Sequence, residues 1–250
     1  MDRDEDNRLS ELSGAIGAEL MPKHVAVILD GHERWAKKRN LPTQKGHEAG
    51  IDNLKTIILT ASSDFGIKVL TVYAASVENF QRPQAEVNHV MGIWEDFIRS
   101  YVMELIHRNN LRFSIIGDRP RLPDSIQSAI LEAEESSKFN NGMHFVMALR
   151  YSGRLDITEA AKRIARNVGK GIVQPQDVSD ELLHQHLMTS SIQVPDPDLL
   201  IRTSGERRLS NFLLWQLAHT KFYFVDKMFP DFDMTDFAEA LTYFQGTKRY

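Results

Sequence analysis

The chain has 250 residues, 42% of them hydrophobic and 26% charged, with a formal net charge of -4 and no cysteine. Those figures suit a globular protein with one large α/β core. They argue against a general nucleic-acid binder and exclude disulfides, thiolate catalysis and zinc-thiolate sites.

Residues 1–20 form an N-terminal amphipathic segment, with Leu9, Leu12, Ile16 and Leu20 on one face, and 21–250 form a single domain. The start is too acidic for a signal or transit peptide, so such a peptide is either absent or already trimmed. Six β-rich runs follow, at 24–30, 69–75, 112–117, 144–150, 199–203 and 221–226. Helical patterns occupy 47–64, 84–109, 123–139, 154–168 and 178–188, another begins near Ser210, and a last one covers 234–245. Most strand runs are continuously apolar, as strands covered on both faces are. Their alternation with helices predicts an α/β fold, a six-stranded, largely parallel sheet flanked by helices with right-handed crossovers. No apolar run approaches the roughly 18 residues of a membrane-spanning helix.

In such a sheet, function gathers at the carboxyl ends of the strands. The first strand ends at Asp30 and turns through Gly31 into the charged segment His32-Glu33-Arg34-Trp35. A carboxylate there suits Mg²⁺, the glycine lets the backbone approach, and the following amides and Arg34 face an anion. Three other strand ends carry arginines, so that Arg34, Arg82, Arg150, Arg154, Arg202, Arg207 and Arg208 converge on one rim. Planar guanidinium forks suit phosphate oxygens. No Walker loop and no GxGxxG follows the first strand, which weakens nucleotide readings. From the residues alone, the inference stops at an α/β protein with a Mg²⁺-compatible, diphosphate-sized anion site beside an apolar interior.

At those same residues the chain resembles the cis-prenyltransferases, the undecaprenyl diphosphate synthase-like family. The motifs are HVAVILDGHERWAKKR, GHEAG, YAASVENFQRP, FSIIGD, ALRYSGRLDI, DPDLLIRTSGERRLSNFLLWQ and FYFVDKMFPDF. The resemblance implies a Mg²⁺-dependent enzyme that joins isoprenoid diphosphates, built as a homodimer with a hydrophobic tunnel in each subunit. It implies no nucleic-acid partner, and a plastid location for a plant member. Asp30 matches the family's metal-holding, catalytic Asp. Gly31, Glu33, Arg34, Trp35 and His47 match the pocket of the allylic diphosphate. Arg202, Arg208 and Ser210 match the second diphosphate pocket. Ser76, Glu78, Asn79 and Arg82 fall on a loop near the reacting carbons, with Ser76 and Asn79 in catalytic roles.

The departures from the family pattern matter as much. His32-Glu33 replaces Asn-Gly or Asn-Arg, Thr43 replaces a diphosphate-binding Arg, Val77 replaces Ser or Thr, Phe80 replaces Trp, and Arg150-Tyr151-Ser152 replaces Asn-Tyr-Gly. Lys221 stands where bacterial members have a metal-associated Glu; it either binds diphosphate or is a surface lysine at a strand start. Within the family the chain resembles most the irregular, lavandulyl-diphosphate-forming members of the plant short-chain branch. That implies a head-to-middle coupling of two dimethylallyl diphosphates. The alternative is regular condensation with isopentenyl diphosphate to neryl or Z,Z-farnesyl diphosphate. His32 is a candidate for orienting a diphosphate or assisting proton loss; alternatively it only replaces the hydrogen bonds of Asn. Ile93, Trp94, Phe97 and Tyr101 on the helix 84–109 would close the tunnel and favour a short product. The sequence stops at Arg249-Tyr250, short of the Arg-x-Gly tail with which the family often completes a neighbouring site.

Overall fold

The computed structural model describes residues 21–246, so the expected amphipathic segment and the C-terminal tail lie outside the described residues. The strands are β1 (His24–Ile28), β2 (Val69–Ser76), β3 (Arg112–Ile116), β4 (His144–Tyr151), β5 (Leu199–Arg202) and β6 (Lys221–Phe224). All pair in parallel, in the order β3-β4-β2-β1-β5-β6. The sheet expected as largely parallel is therefore wholly parallel. The helices are α1 (His32–Lys38), α2 (Thr43–Ser63), α3 (Gln84–Phe97), α4 (Met103–Asn109), α5 (Asp124–Ser137), α6 (Gly153–Gly169), α7 (Asp180–Gln185), α8 (Met188–Ser191) and α9 (Met234–Gly246).

Side chains alternate across a strand, and both faces of β1 to β5 are covered, while the edge strand β6 is only partly buried, with Phe222 37% exposed. Val25, Val27, Leu70, Val72, Phe145, Met147, Leu199 and Ile201 join one core with α2, α3, α5 and α9. Ala26, Ile28, Val146, Ala148 and Leu200 join the other with Phe212, Leu213 and Leu217. This two-sided burial is why the strand runs carry no polar alternation.

Three helical expectations are corrected. The run 84–109 is broken by a π-helical turn at Ile98–Val102, which buries both Ile98 and Val102 and sets the Tyr101 hydroxyl on the Lys55 carbonyl at 2.9 Å. The run 178–188 divides at Leu187, whose backbone is extended and whose side chain is fully buried. No helix forms after Ser210. Ser210, Asn211 and Leu213 have φ of 48°, 63° and 39°, in the left-handed region that ends helices. The apolar residues Phe212 and Leu213 are buried there without helical geometry. Among the described residues, no helix is long and apolar enough to cross a membrane.

Candidate active site

The site begins where β1 ends. Gly31 turns the chain at φ 108°, and a Cβ there would lie 2.9 Å from Met228 Cβ and 3.0 Å from Ser204 Cβ, so the turn requires glycine. Helix α1 then packs on α2 across two glycines of the GHEAG motif. A Cβ on Gly46 would sit 2.1 Å from the His32 carbonyl oxygen, and one on Gly50 would sit 2.3 Å from the His32 ring. These glycines let His32 lie flat on α2, with its ring 5.6 Å from that of His47 and 5.8 Å from that of Phe229.

The carboxyl ends of β1, β2 and β5, with α1, α2 and α3, enclose a cavity of about 640 Å³. Asp30, Gly31, His32, Glu33, Arg34, His47, Ser76, Glu78, Asn79, Arg82, Arg202, Arg208 and Ser210 all line it. Val87, Val90, Met91, Ile93 and Trp94 form its apolar part. Trp94 meets Phe97 edge to face at 5.7 Å, and Phe97 lies 5.6 Å from Tyr101. Of the four tunnel residues, Ile93 and Trp94 thus reach the cavity, while Phe97 and Tyr101 back them.

The mouth is organised around Asp30. Buried Arg202 donates from Nη2 to Asp30 Oδ2 at 2.8 Å and from Nη1 to Ser210 Oγ at 2.7 Å and to the Arg208 carbonyl. Arg34 lies 3.6 Å from Asp30 Oδ1 and donates to Ser204 Oγ at 2.6 Å. Glu206 pairs with both Arg34, at 3.5 Å, and Arg208. Burial by itself raises the Asp30 pKa, but the hydrogen bond and charge of Arg202, with Arg34 and Ser204, hold it below the ordinary carboxylate range. Asp30 is ionised at neutral pH. Burial, reinforced by His47, pushes His32 down to about 4 against the opposing pull of Asp30, so His32 is neutral. His47 is lowered too, by burial and then by His89.

Beside this cluster, the Ser76 amide donates to Asn79 Oδ1 at 2.8 Å and the Asn79 amide to Ser76 Oγ at 3.2 Å, which fixes the loop after β2. Asn211 Nδ2 donates to Glu78 Oε1 at 2.9 Å and to Ser152 Oγ at 2.6 Å, tying that loop to β4 and β5. Three buried polar atoms lack a hydrogen-bond partner among the described residues: His47 Nδ1, His89 Nε2 and Arg202 Nε. All three belong to this site or pack against it, His89 standing 6.3 Å from His47.

Some expectations separate from the cavity. Trp35 turns away, donating from Nε1 to Asp231 Oδ1 at 2.7 Å with the Arg39 guanidinium 4.2 Å above its ring. It follows Arg34 by one position, and successive residues of a helix face different ways. Of the seven arginines, four line the cavity. Arg150 stands over the Phe80 ring at 4.4 Å and contacts Asp118 at 3.4 Å, and Arg154 and Arg207 are not among the lining residues. Lys221 starts β6, at the opposite end of the sheet, where its ammonium donates to the Phe244 carbonyl at 2.9 Å and sits 4.5 Å over the Phe244 ring. Sequence reasoning does not single out Asn211, Ser204 and Glu206; their only signal there is their place in the polar loop after β5.

Comparison with known proteins now adds to the geometry. A family model described as putative undecaprenyl diphosphate synthase matches residues 28–250. The crystal structure of lavandulyl diphosphate synthase from Lavandula x intermedia, in complex with dimethylallyl diphosphate, superposes with a TM-score of 0.90 at 50% identity, covering 93% of this chain and 98% of that one. A chloroplastic dehydrodolichyl diphosphate synthase of Solanum lycopersicum is 45% identical, over 94% of this chain and 74% of its own length. A chloroplastic (2Z,6Z)-farnesyl diphosphate synthase of the same plant is 42% identical, over 98% of this chain and 84% of its own. With its parallel sheet, its arginine-ringed Asp30 and these relatives, the chain belongs to the undecaprenyl diphosphate synthase-like family of cis-prenyltransferases.

Proposed function

We propose that this enzyme couples two dimethylallyl diphosphates, head to middle, to lavandulyl diphosphate. The observation that carries the proposal is a mouth with cations on both sides of Asp30, in a cavity whose apolar lining includes Trp94. It stands in a chain 50% identical to a lavandulyl diphosphate synthase that holds dimethylallyl diphosphate. Arg34 and His47 bind the diphosphate of the ionising unit, and Arg202, Arg208 and Ser210 bind that of the other. The C1–O bond of the first unit breaks, with its electron pair going to the diphosphate. The C2=C3 pair of the second unit then bonds to C1, and the resulting tertiary cation loses a methyl proton. Arginine forks held in place before reaction stabilise the leaving charge without reorganising. The loop carrying Ser76 and Asn79 presses the two hydrocarbon tails together, and burial keeps water from the cation.

Asp30 is the group that would hold Mg²⁺. It is a single ionised carboxylate, and no cluster of three or more ligating side chains occurs among the described residues. That suits a cation that keeps several waters and shares the substrate's phosphate oxygens. When bound, the metal supplies Lewis-acid neutralisation of the departing diphosphate. The chain acts as a homodimer, and its chloroplastic relatives favour a plastid location.

A second reading is regular condensation with isopentenyl diphosphate, favoured by the 42% identity to a (2Z,6Z)-farnesyl diphosphate synthase. A product assay decides between them. With Mg²⁺ and dimethylallyl diphosphate alone, a branched C10 alcohol after dephosphorylation is expected; product only after adding isopentenyl diphosphate overturns the irregular reading. His32 is neutral, as a proton acceptor must be, and lies against α2 beside the cavity. If it assists proton loss, His32→Asn lowers kcat by about a hundredfold. An unchanged rate and product would leave it the hydrogen-bonding role of Asn.

A further inference from the structure

An acidic side chain at the mouth of a cavity built for anions needs a reason, and Glu206 is such a side chain. It follows Ser204 and Gly205, whose φ values of 75° and 76° bend the loop after β5 back toward α1. That bend is pinned to the segment after β6, because the Ser204 amide donates to the Lys227 carbonyl at 2.8 Å and the Gly205 amide to the Val225 carbonyl at 3.0 Å. Its carboxylate is divided between two arginines. Oε1 lies 3.5 Å from Arg34 Nη1, and Oε2 accepts from Arg208 Nη1. The two arginines belong to the two different diphosphate pockets of the proposed reaction, on which this inference rests.

We propose that Glu206 is a positioning residue that couples the two pockets. In the empty enzyme its carboxylate stands in for phosphate, keeping Arg34 and Arg208 ordered and apart. A diphosphate arriving at Arg34 carries more charge than a carboxylate, so like-charge repulsion drives Glu206 out toward solvent, to which about a third of the side chain is already open (31%). Because the same carboxylate also held Arg208, its departure frees the second fork. The first diphosphate therefore bears the cost of displacing Glu206, and the second binds without it. That is positive coupling between sites carried by one side chain.

The test is calorimetric titration of wild type and Glu206→Gln with the unreactive dimethylallyl S-thiolodiphosphate in Mg²⁺, followed by isopentenyl diphosphate. In wild type, the second diphosphate binds more tightly once the first pocket is filled. In Glu206→Gln, the first diphosphate gains about threefold to tenfold in affinity, the range expected for breaking two partly exposed ion pairs. The advantage of the second then disappears. Glu206→Ala behaves alike, and circular dichroism verifies that both variants are folded. Unchanged affinities in both variants, or a uniform loss at both pockets, overturns the proposal. The stoichiometry judges the underlying reading separately. Two analogues per chain agree with irregular coupling, whereas one analogue plus one isopentenyl diphosphate sinks that reading and still measures the coupling. A single diphosphate per chain under all conditions overturns both.

Discussion

The two ends of the sheet treat buried polar groups in opposite ways. At the amino ends, His24 is closed on both sides, its Nδ1 donating to the Pro195 carbonyl at 2.7 Å and its Nε2 pairing with Thr71 Oγ1 at 2.7 Å. His144 Nε2 pairs with Ser114 Oγ at 2.8 Å, and Asp198 Oδ2 accepts from the backbone amides of Lys23 and His24 at 2.7 and 3.0 Å. At the carboxyl ends lie the buried atoms left without a partner, on His47 and Arg202 and on His89 behind them. Left-handed residues do not separate the two ends, since Ser204, Ser210 and Asn211 lie here and Asn110 and Gln193 lie on the amino side. Burying a polar atom without a partner costs about 1–3 kcal/mol, and a strained non-glycine residue costs a similar amount. Such costs persist where a ligand offsets them. The amino ends close their buried polar groups on protein partners, and the carboxyl ends leave three such atoms unpaired among the described residues.

Asp30→Ala attacks the carboxyl end and has the largest expected effect. The kcat falls by about a thousandfold, of the order found when one group stabilising the developing charge is lost. Far-UV circular dichroism stays unchanged. A rate within tenfold of wild type would remove Asp30 from the metal role.

Trp94→Ala enlarges the cavity, which Trp94 lines. The lost packing costs about 3–5 kcal/mol in urea unfolding. Mass analysis of the product from dimethylallyl diphosphate mixed with the longer geranyl diphosphate shows a longer coupled product than wild type makes. Unaltered chain length would mean that Trp94 is core and not a stop.

Acid addresses the amino end. Burial pushes both His24 and His144 from 6.5 down to about 4, because their cations would lose water. An unfolded chain takes up protons below pH 6.5 that the folded chain refuses until about pH 4. Stability is therefore fully present above pH 6.5 and falls as the pH drops toward 4. The urea midpoint is expected to be lower at pH 5 than at pH 7.5, with a shallower pH dependence in His144→Asn. A midpoint that rises on acidification would contradict the assignment.

Lys221→Met probes the same end and has the smallest effect. Removing the ammonium from the Phe244 carbonyl lowers stability by about 1 kcal/mol. Both substrate KM values stay within twofold of wild type. A tenfold rise in either KM would return Lys221 to a substrate pocket.

The local patterns of this chain were enough to read all six strands, because the two-sided burial of β1 to β5 and the aromatic run of the partly buried edge strand β6 both write themselves as apolar runs of strand length. They also place Asp30, Arg34 and Arg202 at strand ends followed by a polar turn, whereas Ser210 is singled out only by the family resemblance; all four line the cavity. Tertiary structure alone decided the rest. The apolar run after Ser210 has helical spacing, but the carboxamide of Asn211 bonds to Ser152, Glu78 and the Arg154 amide, and those long-range contacts outweigh a helix propensity worth tenths of a kcal/mol per residue. Trp35 and Lys221 carry motif positions into places that only packing sets, one against Asp231 and the other at the far end of β6. Glu206 looked like one more charge in a charged loop. Its position between two arginines depends on a bend pinned by the carbonyls of Val225 and Lys227, in the segment that follows β6. Local sequence encodes what depends on near neighbours, such as strands, turns and caps. A site assembled from contacts 170 or more residues apart, as Arg34 and Asp30 are with Ser204 and Arg202 (separations of 170 and 172), exists only once the sheet has brought its strand ends together.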